Sequence, residues 1–181
     1  MPGRRQTYVA LLRGINLGSR NRIAMADLRA LVAALGHEDV TTYLQSGNVV
    51  FRSSGRTADL RRGLEARIAR DHGLAVTVLL RTRAELARLV AGNPFAARGG
   101  ERTLHVTFLA EKPEPARARE LDPAHGEPDE FSLAGRDVYL YCPNGYGRSK
   151  LGNAFFEQRL GVAATTRNWK TVTSLADLTA A

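Results

Sequence analysis

The sequence predicts an α+β protein, with two tandem β-α-β-β-α-β units built on antiparallel sheets. Three observations point there. Short β-branched or apolar runs alternate with stretches whose apolar residues recur every three or four positions, the periods of strand and helix. In each half, two β-rich runs are separated by only a few residues, as in a hairpin. Corresponding strands of the two halves sit about 90 residues apart, a spacing that suggests duplication.

In the first half, Tyr8 to Leu12 is a short apolar run ended by Arg13-Gly14 and reads as a buried strand. Residues 13–22 are polar and carry Gly14, Asn16, Gly18 and Asn21, the composition of a loop. Met25, Leu28, Leu31, Val32 and Leu35 then recur at helical spacing, with Gly36 as a stop. Val40–Leu44 and Asn48–Arg52 form the hairpin around Gln45-Ser46-Gly47. A second helix carries Leu60, Leu64 and Ile68 and stops at Gly73, and Ala75–Leu80 supplies the fourth strand. A connecting helix, Arg83–Val90, and the turn Gly92-Asn93-Pro94 lead to the second half.

There the order returns. Leu104–Leu109 is a strand, and a short proline-flanked helix follows around Pro115–Leu121. Glu130–Leu133 and Val138–Tyr141 form a hairpin around residues 134–137. Ser149–Leu160 is amphipathic, with Leu151, Phe155 and Leu160 inward and Gly161 as its stop. Val162–Arg167 is the last strand, and Asn168 caps a closing helix through Leu178. The expected units are residues 1–92 and, with the closing helix, 93–181.

Composition bounds the chemistry. An apolar content of 44% supports a packed core without metal or disulfide, and Cys142 is the sole cysteine. With no apolar stretch of signal-peptide or membrane-span length, the expectation is a soluble cytoplasmic protein that does not enter a membrane. The net charge of +8 is unevenly placed. Residues 1–92 hold 15 basic and 7 acidic side chains, whereas residues 93–181 hold 11 of each. Attraction of polyanions and a plain arginine-rich surface are both compatible with that excess.

Familiar catalytic patterns are missing. His37, His72, His105 and His125 are dispersed and fit no metal-ligand spacing, so neither a metal nor a cofactor is expected. Cys142 has no histidine close in sequence, and Ser46 lacks the Gly-x-Ser-x-Gly elbow. The loop Gly14-Ile15-Asn16-Leu17-Gly18 has neither the phosphate-loop ending nor the dinucleotide pattern. RNA-recognition modules stack bases on aromatics of their first and third strands. The corresponding strands here offer only Tyr8 and Phe51, which disfavours that readout.

Four stretches carry a resemblance. They are Tyr8-Val9-Ala10-Leu11-Leu12-Arg13-Gly14-Ile15-Asn16, Tyr43-Leu44-Gln45-Ser46-Gly47-Asn48-Val49-Val50-Phe51, Tyr146-Gly147-Arg148-Ser149-Lys150-Leu151 and Thr165-Thr166-Arg167-Asn168-Trp169. Together they resemble the bacterial family called domain of unknown function 1697, from about Tyr8 to Leu178. The resemblance implies two ferredoxin-like units in tandem. It implies no reaction, cofactor or substrate.

Strand direction then predicts where the polar stretches meet. In a ferredoxin-like sheet, ordered 4-1-3-2, the end of strand one lies beside the hairpin joining strands two and three. Arg13, Asn16, Arg20 and Asn21 should therefore gather with Gln45, Ser46 and Asn48. Three arginines and no acid between residues 13 and 22 suit an anion. At the opposite edge of the second unit, residues 145–150 and 165–170 should approach one another. Ser149 and Asn168 are the expected N-caps there, close to Arg148, Lys150, Arg167 and Lys170. The leading expectation is an anion-binding module for a phosphorylated metabolite or a nucleic-acid backbone. One alternative is an enzyme in which Arg13, Asn16 and Gln45 orient substrate and Ser46 or Tyr146 transfers a proton. Another is a protein–protein adaptor.

Overall fold

The structure, a computed structural model, describes residues 3–181, so Met1 and Pro2 of the N-terminal segment lie outside it. The elements are β1 (Gln6–Leu12), α1 (Met25–Ala34), β2 (Glu38–Thr42), β3 (Asn48–Ser53), α2 (Thr57–His72), β4 (Val78–Thr82) and α3 (Arg83–Ala91). They continue with β5 (Leu104–Leu109), α4 (Pro115–Arg119), β6 (Glu130–Ala134), β7 (Asp137–Tyr141), α5 (Asn153–Leu160), β8 (Ala164–Asn168) and α6 (Trp169–Ala180). The fold is α+β, with two four-stranded antiparallel sheets ordered β2-β3-β1-β4 and β6-β7-β5-β8. The compact units are residues 1–86 with 175–181, and residues 87–174. Among the described residues, no helix is long and apolar enough to cross a membrane.

In the first unit, alternation places Tyr8, Ala10 and Leu12 of β1 on one face with Val49 and Phe51 of β3 and Val78 and Leu80 of β4. The apolar stripes Leu28, Leu31, Val32 of α1 and Leu60, Leu64, Ile68 of α2 bury against that face. Each such side chain contributes about 1.5–3 kcal/mol by leaving water. Tyr8 and Phe51, the two aromatics a base-stacking sheet would display, stack on each other in this core with ring centres 5.8 Å apart. Gly73 ends α2 in the left-handed conformation (φ 66°) that side chains other than glycine resist. The second unit buries Leu109, Val138, Leu140, Cys142, Leu151, Phe156, Leu160 and Ala164 in the same manner.

Several boundaries differ from the sequence reading. The fourth strand begins at Val78 rather than Ala75, because its partner β1 ends at Leu12 and the chain turns away at Gly14 (φ 72°). β2 starts at Glu38, with Asp39 (φ 50°) absorbing an irregularity before pairing resumes at Thr41. The expected helix from Ser149 is shorter: a 3₁₀ turn spans Tyr146–Arg148 and α5 starts at Asn153. Leu151 is buried ahead of the helix, beside Gly126, where an added Cβ would lie 2.6 Å from its Cγ. The inward stripe is consequently Phe156 and Leu160, while Phe155 is half-buried and stacks on His125.

One pattern recurs in both units. Arg81 of β4 pairs with Val9, and Arg167 of β8 pairs with Val106. Both arginines are buried, Arg81 to 2% exposure. Each stands one residue before a helix N-cap. Thr82 and Glu85 cap α3 reciprocally, the Glu85 N–H donating to Thr82 Oγ1 (3.2 Å) and the Thr82 N–H to Glu85 Oε2 (2.8 Å). Asn168 caps α6 by accepting from the Thr171 N–H at 2.8 Å.

Candidate anion site

The loop between β1 and α1 holds four residues at positive φ: Gly14 (72°), Asn16 (54°), Gly18 (61°) and Asn21 (51°). Glycine and asparagine are the residues that tolerate this region. The Asn16 amide fastens the loop. Its Nδ2 donates to the carbonyls of Ile23 (3.0 Å) and Gln45 (2.7 Å), and its Oδ1 accepts from the Ile23 N–H (2.9 Å). Asn21 Nδ2 donates to the Gly14 carbonyl at 3.0 Å. Across the rim, buried Asn48 donates to the Tyr43 carbonyl (2.7 Å) and to Ser46 Oγ (3.0 Å), holding the β2–β3 turn. Buried Ile15 sits under Gly47, where an added Cβ would lie 2.6 Å from Ile15 Cδ1.

The β1–α1 loop and the β2–β3 turn thus meet at the Asn16–Gln45 bond and at Ile15 under Gly47, as strand direction requires. The amides of Asn16 and Asn21 are committed to backbone, and that of Asn48 to backbone and Ser46. Arg20 and Arg22 are the exposed cations of this loop, and Arg13 is half-buried. Leu17 and Arg20 face each other across a tight turn, the Arg20 N–H donating to the Leu17 carbonyl at 3.1 Å. Arg22 Nε reaches the Gly18 carbonyl at 3.3 Å.

Several other arginines of this unit meet acids, whereas exposed Arg29 and Arg56, like Arg20 and Arg22, have no carboxylate pair among the described residues. Arg5 pairs with Glu38, Arg52 with Asp39, Arg61 with Glu65, Arg62 with Asp59 and Arg67 with Asp71. Among the described residues no carboxylate pairs with Arg20 or Arg22, and the first acid in the chain is Asp27. Sequence reasoning counted Arg22 among the three arginines of the stretch but did not name it with the site residues. It also passed over Leu17 and Leu44, whose exposure in loops no apolar pattern reveals.

In the second unit the 3₁₀ turn and β8 do approach. The Tyr146 ring stacks on His105 with centres 4.8 Å apart, and its hydroxyl hydrogen-bonds Thr166. Thr166 Oγ1 donates to Asn153 Oδ1 (2.7 Å), which leaves Thr107 Oγ1 as the donor in the 2.7 Å Thr107–Thr166 contact. His105 Nδ1 is buried with no hydrogen-bond partner among the described residues. Burial pushes the His105 pKa below its ordinary 6.5 and the Tyr146 pKa above its ordinary 10.0. Burial also raises the Cys142 thiol to about 11, so it is protonated at neutral pH and no nucleophile.

The cations of this unit do not converge as expected. Arg148 and Lys150 are exposed, whereas alternation along β8 sends Arg167 to the face opposite Thr166. There Arg167 Nη1 donates to Thr165 Oγ1 (2.7 Å) and to the Thr166 carbonyl (3.0 Å), and burial lowers its pKa to about 10, still charged at neutral pH. Ser149 does not cap α5. Its Oγ accepts from the Leu151 N–H at 3.1 Å, and Gly152 occupies the cap position. Asn168 caps its helix as expected, and Lys170 approaches Glu101 at 3.9 Å.

A family model described as "Protein of unknown function (DUF1697)" matches residues 5–139. The chain belongs to this family. The match takes in the β1 and β3 stretches that form the clasped rim and ends before those at 146–151 and 165–169. The structure of conserved bacterial protein SP0830 from Streptococcus pneumoniae is similar in fold, with a TM-score of 0.73 at 22% identity. That likeness covers 97% of this chain and 99% of the other. Among curated proteins, none matches.

Proposed function

We propose that this protein is a cytoplasmic anion-binding module whose site is the rim of the first unit. Its ligand is a phosphorylated small molecule or the phosphate backbone of a nucleic acid. The observation that carries the reading is the division of labour at the rim. Asn16, Asn21 and Asn48 satisfy the framework, while exposed Arg20 and Arg22 stand beside it with no carboxylate pair. Guanidinium groups placed this way suit phosphate oxygens. The exposed polar groups of Gln45 and Ser46 border the same rim. Arg148, Ser149, Lys150 and Asn168 form a secondary candidate at the edge of the second unit, from which buried Arg167 is separated by the sheet.

We read each sheet with its helices as a ferredoxin-like unit, and residues 1–92 and 93–181 as a tandem duplication. The equivalent strand orders support this, as does the buried arginine before a capped helix in each half. A sole cysteine, buried and protonated, agrees with a reducing compartment. The test is a thermal-shift and calorimetric titration with inorganic phosphate, sugar phosphates and short oligonucleotides at several salt concentrations. A ligand that binds the folded state raises the melting temperature by mass action, and a polyanion gives a log–log salt slope of several units. Arg20→Ala and Arg22→Ala weaken either kind of binding. Unchanged melting with every anion, together with a flat salt dependence, overturns the reading.

A further inference from the structure

Resting on the anion reading of the same rim, we propose that its ligand is an amphipathic phosphate ester, a phosphate joined to an apolar group. Leu17 and Leu44 are the exposed large apolar residues of the described chain, at 66% and 53% exposure. Both lie on this rim, one in each of its two loops. The 2.7 Å bond from Asn16 Nδ2 to the Gln45 carbonyl joins the residue before Leu17 to the residue after Leu44. Each leucine is therefore one Cα step, about 3.8 Å, from a partner in that bond. Leu17 also stands opposite Arg20 in the 17–20 turn, and Arg22 reaches back to Gly18 within the same turn. Two exposed aliphatic side chains, and two guanidinium groups with no carboxylate pair among the described residues, are consequently carried on loops that one bond fastens together.

Inorganic phosphate uses only half of those side chains. Guanidinium groups recognise the phosphate oxygens, and leucines exposed to water at loop tips gain from covering by an apolar group. The presence of both kinds of side chain on the two fastened loops argues for a ligand carrying both parts, so that the charged end fixes position and the apolar end adds affinity. Asn16 and Asn21 at positive φ hold the turn in one conformation, which spares the ligand the cost of ordering it. Such an ester exists free in solution or as the headgroup and chain of an anionic lipid.

The experiment compares inorganic phosphate, hexyl phosphate and adenosine 5′-monophosphate by calorimetry. In parallel, the full chain is sedimented with vesicles of phosphatidylcholine alone or mixed with phosphatidylglycerol. Hexyl phosphate is expected to bind at least about tenfold more tightly than inorganic phosphate, because partial burial of one leucine suffices for that ratio. In the Leu17→Ala/Leu44→Ala double variant this advantage disappears while inorganic phosphate binds as before, and Arg20→Ala weakens all three. Both leucines are exposed, so the double variant is expected to melt with the parent protein. Leucine-dependent sedimentation with anionic vesicles identifies the lipid source, whereas solution binding without sedimentation identifies a free ester. Equal affinity for hexyl and inorganic phosphate, with no vesicle binding, overturns the inference but leaves the anion site standing. Failure of every phosphate compound and vesicle to bind overturns both.

Discussion

Asn16 in the first unit and His105 in the second both hold a polar group away from solvent, but they are provided for differently. Both ends of the Asn16 amide bond backbone groups, at Ile23 and Gln45. His105 stacks on Tyr146, whose hydroxyl bonds Thr166, and its own Nδ1 has no partner among the described residues. Backbone partners do not titrate, so the first arrangement keeps its shape across the working pH range. The second contains a ring whose protonation its surroundings oppose. A loop fastened by backbone suits ligand capture, because its geometry does not depend on the charge state of what approaches it.

The largest expected effect tests the fastening itself. Gly47→Ala places a Cβ 2.6 Å from Ile15 Cδ1 at a φ of +90°, and is expected to cost about 2–4 kcal/mol in urea denaturation. An unchanged midpoint would mean that Ile15 is not seated there. Asn16→Ala removes three hydrogen bonds and leaves backbone groups to find others, for a loss of about 2–3 kcal/mol. Asn16→Asp keeps the acceptor for the Ile23 N–H but sets a carboxylate oxygen against the Ile23 and Gln45 carbonyls, so it should cost at least as much as Asn16→Ala, a ranking that thermal unfolding can check.

The second unit is the place to look for pH dependence. Because burial lowers the His105 pKa below 6.5, the unfolded chain binds more protons than the folded one between the folded value and 6.5. Stability associated with the neutral ring is complete above pH 6.5 and is lost as pH falls toward the folded value. His37, half-buried against Phe51, shifts in the same direction for the same reason. His105→Phe is therefore expected to remove part of the acid-side loss seen in denaturant melts, and an unaltered pH profile would contradict the burial argument. The smallest effect on stability should come from Arg20→Ala with Arg22→Ala, within about 0.5 kcal/mol. A larger loss would show that these arginines hold the loop together beyond the single Arg22–Gly18 bond.

The features readable from sequence were those set by local chemistry. Leu104–Leu109 has the bounds expected, and the helix stops at Gly73 and Gly161 are where a left-handed residue was needed. The meeting of Asn16 and Gln45 followed from strand direction alone. Features decided by tertiary packing were not readable. Leu151 looked like a helix position, yet the missing side chain of Gly126 gives it a seat ahead of α5. Arg167 shares a short stretch with Asn168 and Lys170, but parity along β8 turns it to the other face. Arg81 resembles any surface arginine until burial is seen, and Leu17 resembles any core leucine until exposure is.

Arg81 and Arg167 carry a consequence for how the chain tolerates change in length. Each guanidinium is fixed in depth by a strand that passes into a helix with only the cap residue between them. One extra residue inserted between arginine and cap would turn either the arginine or the whole strand before it by half a pleat. The two junctions thus act as rulers, and sequence variation that adds or removes a residue is expected to avoid both and, around α3, to fall in the loop after Ala91.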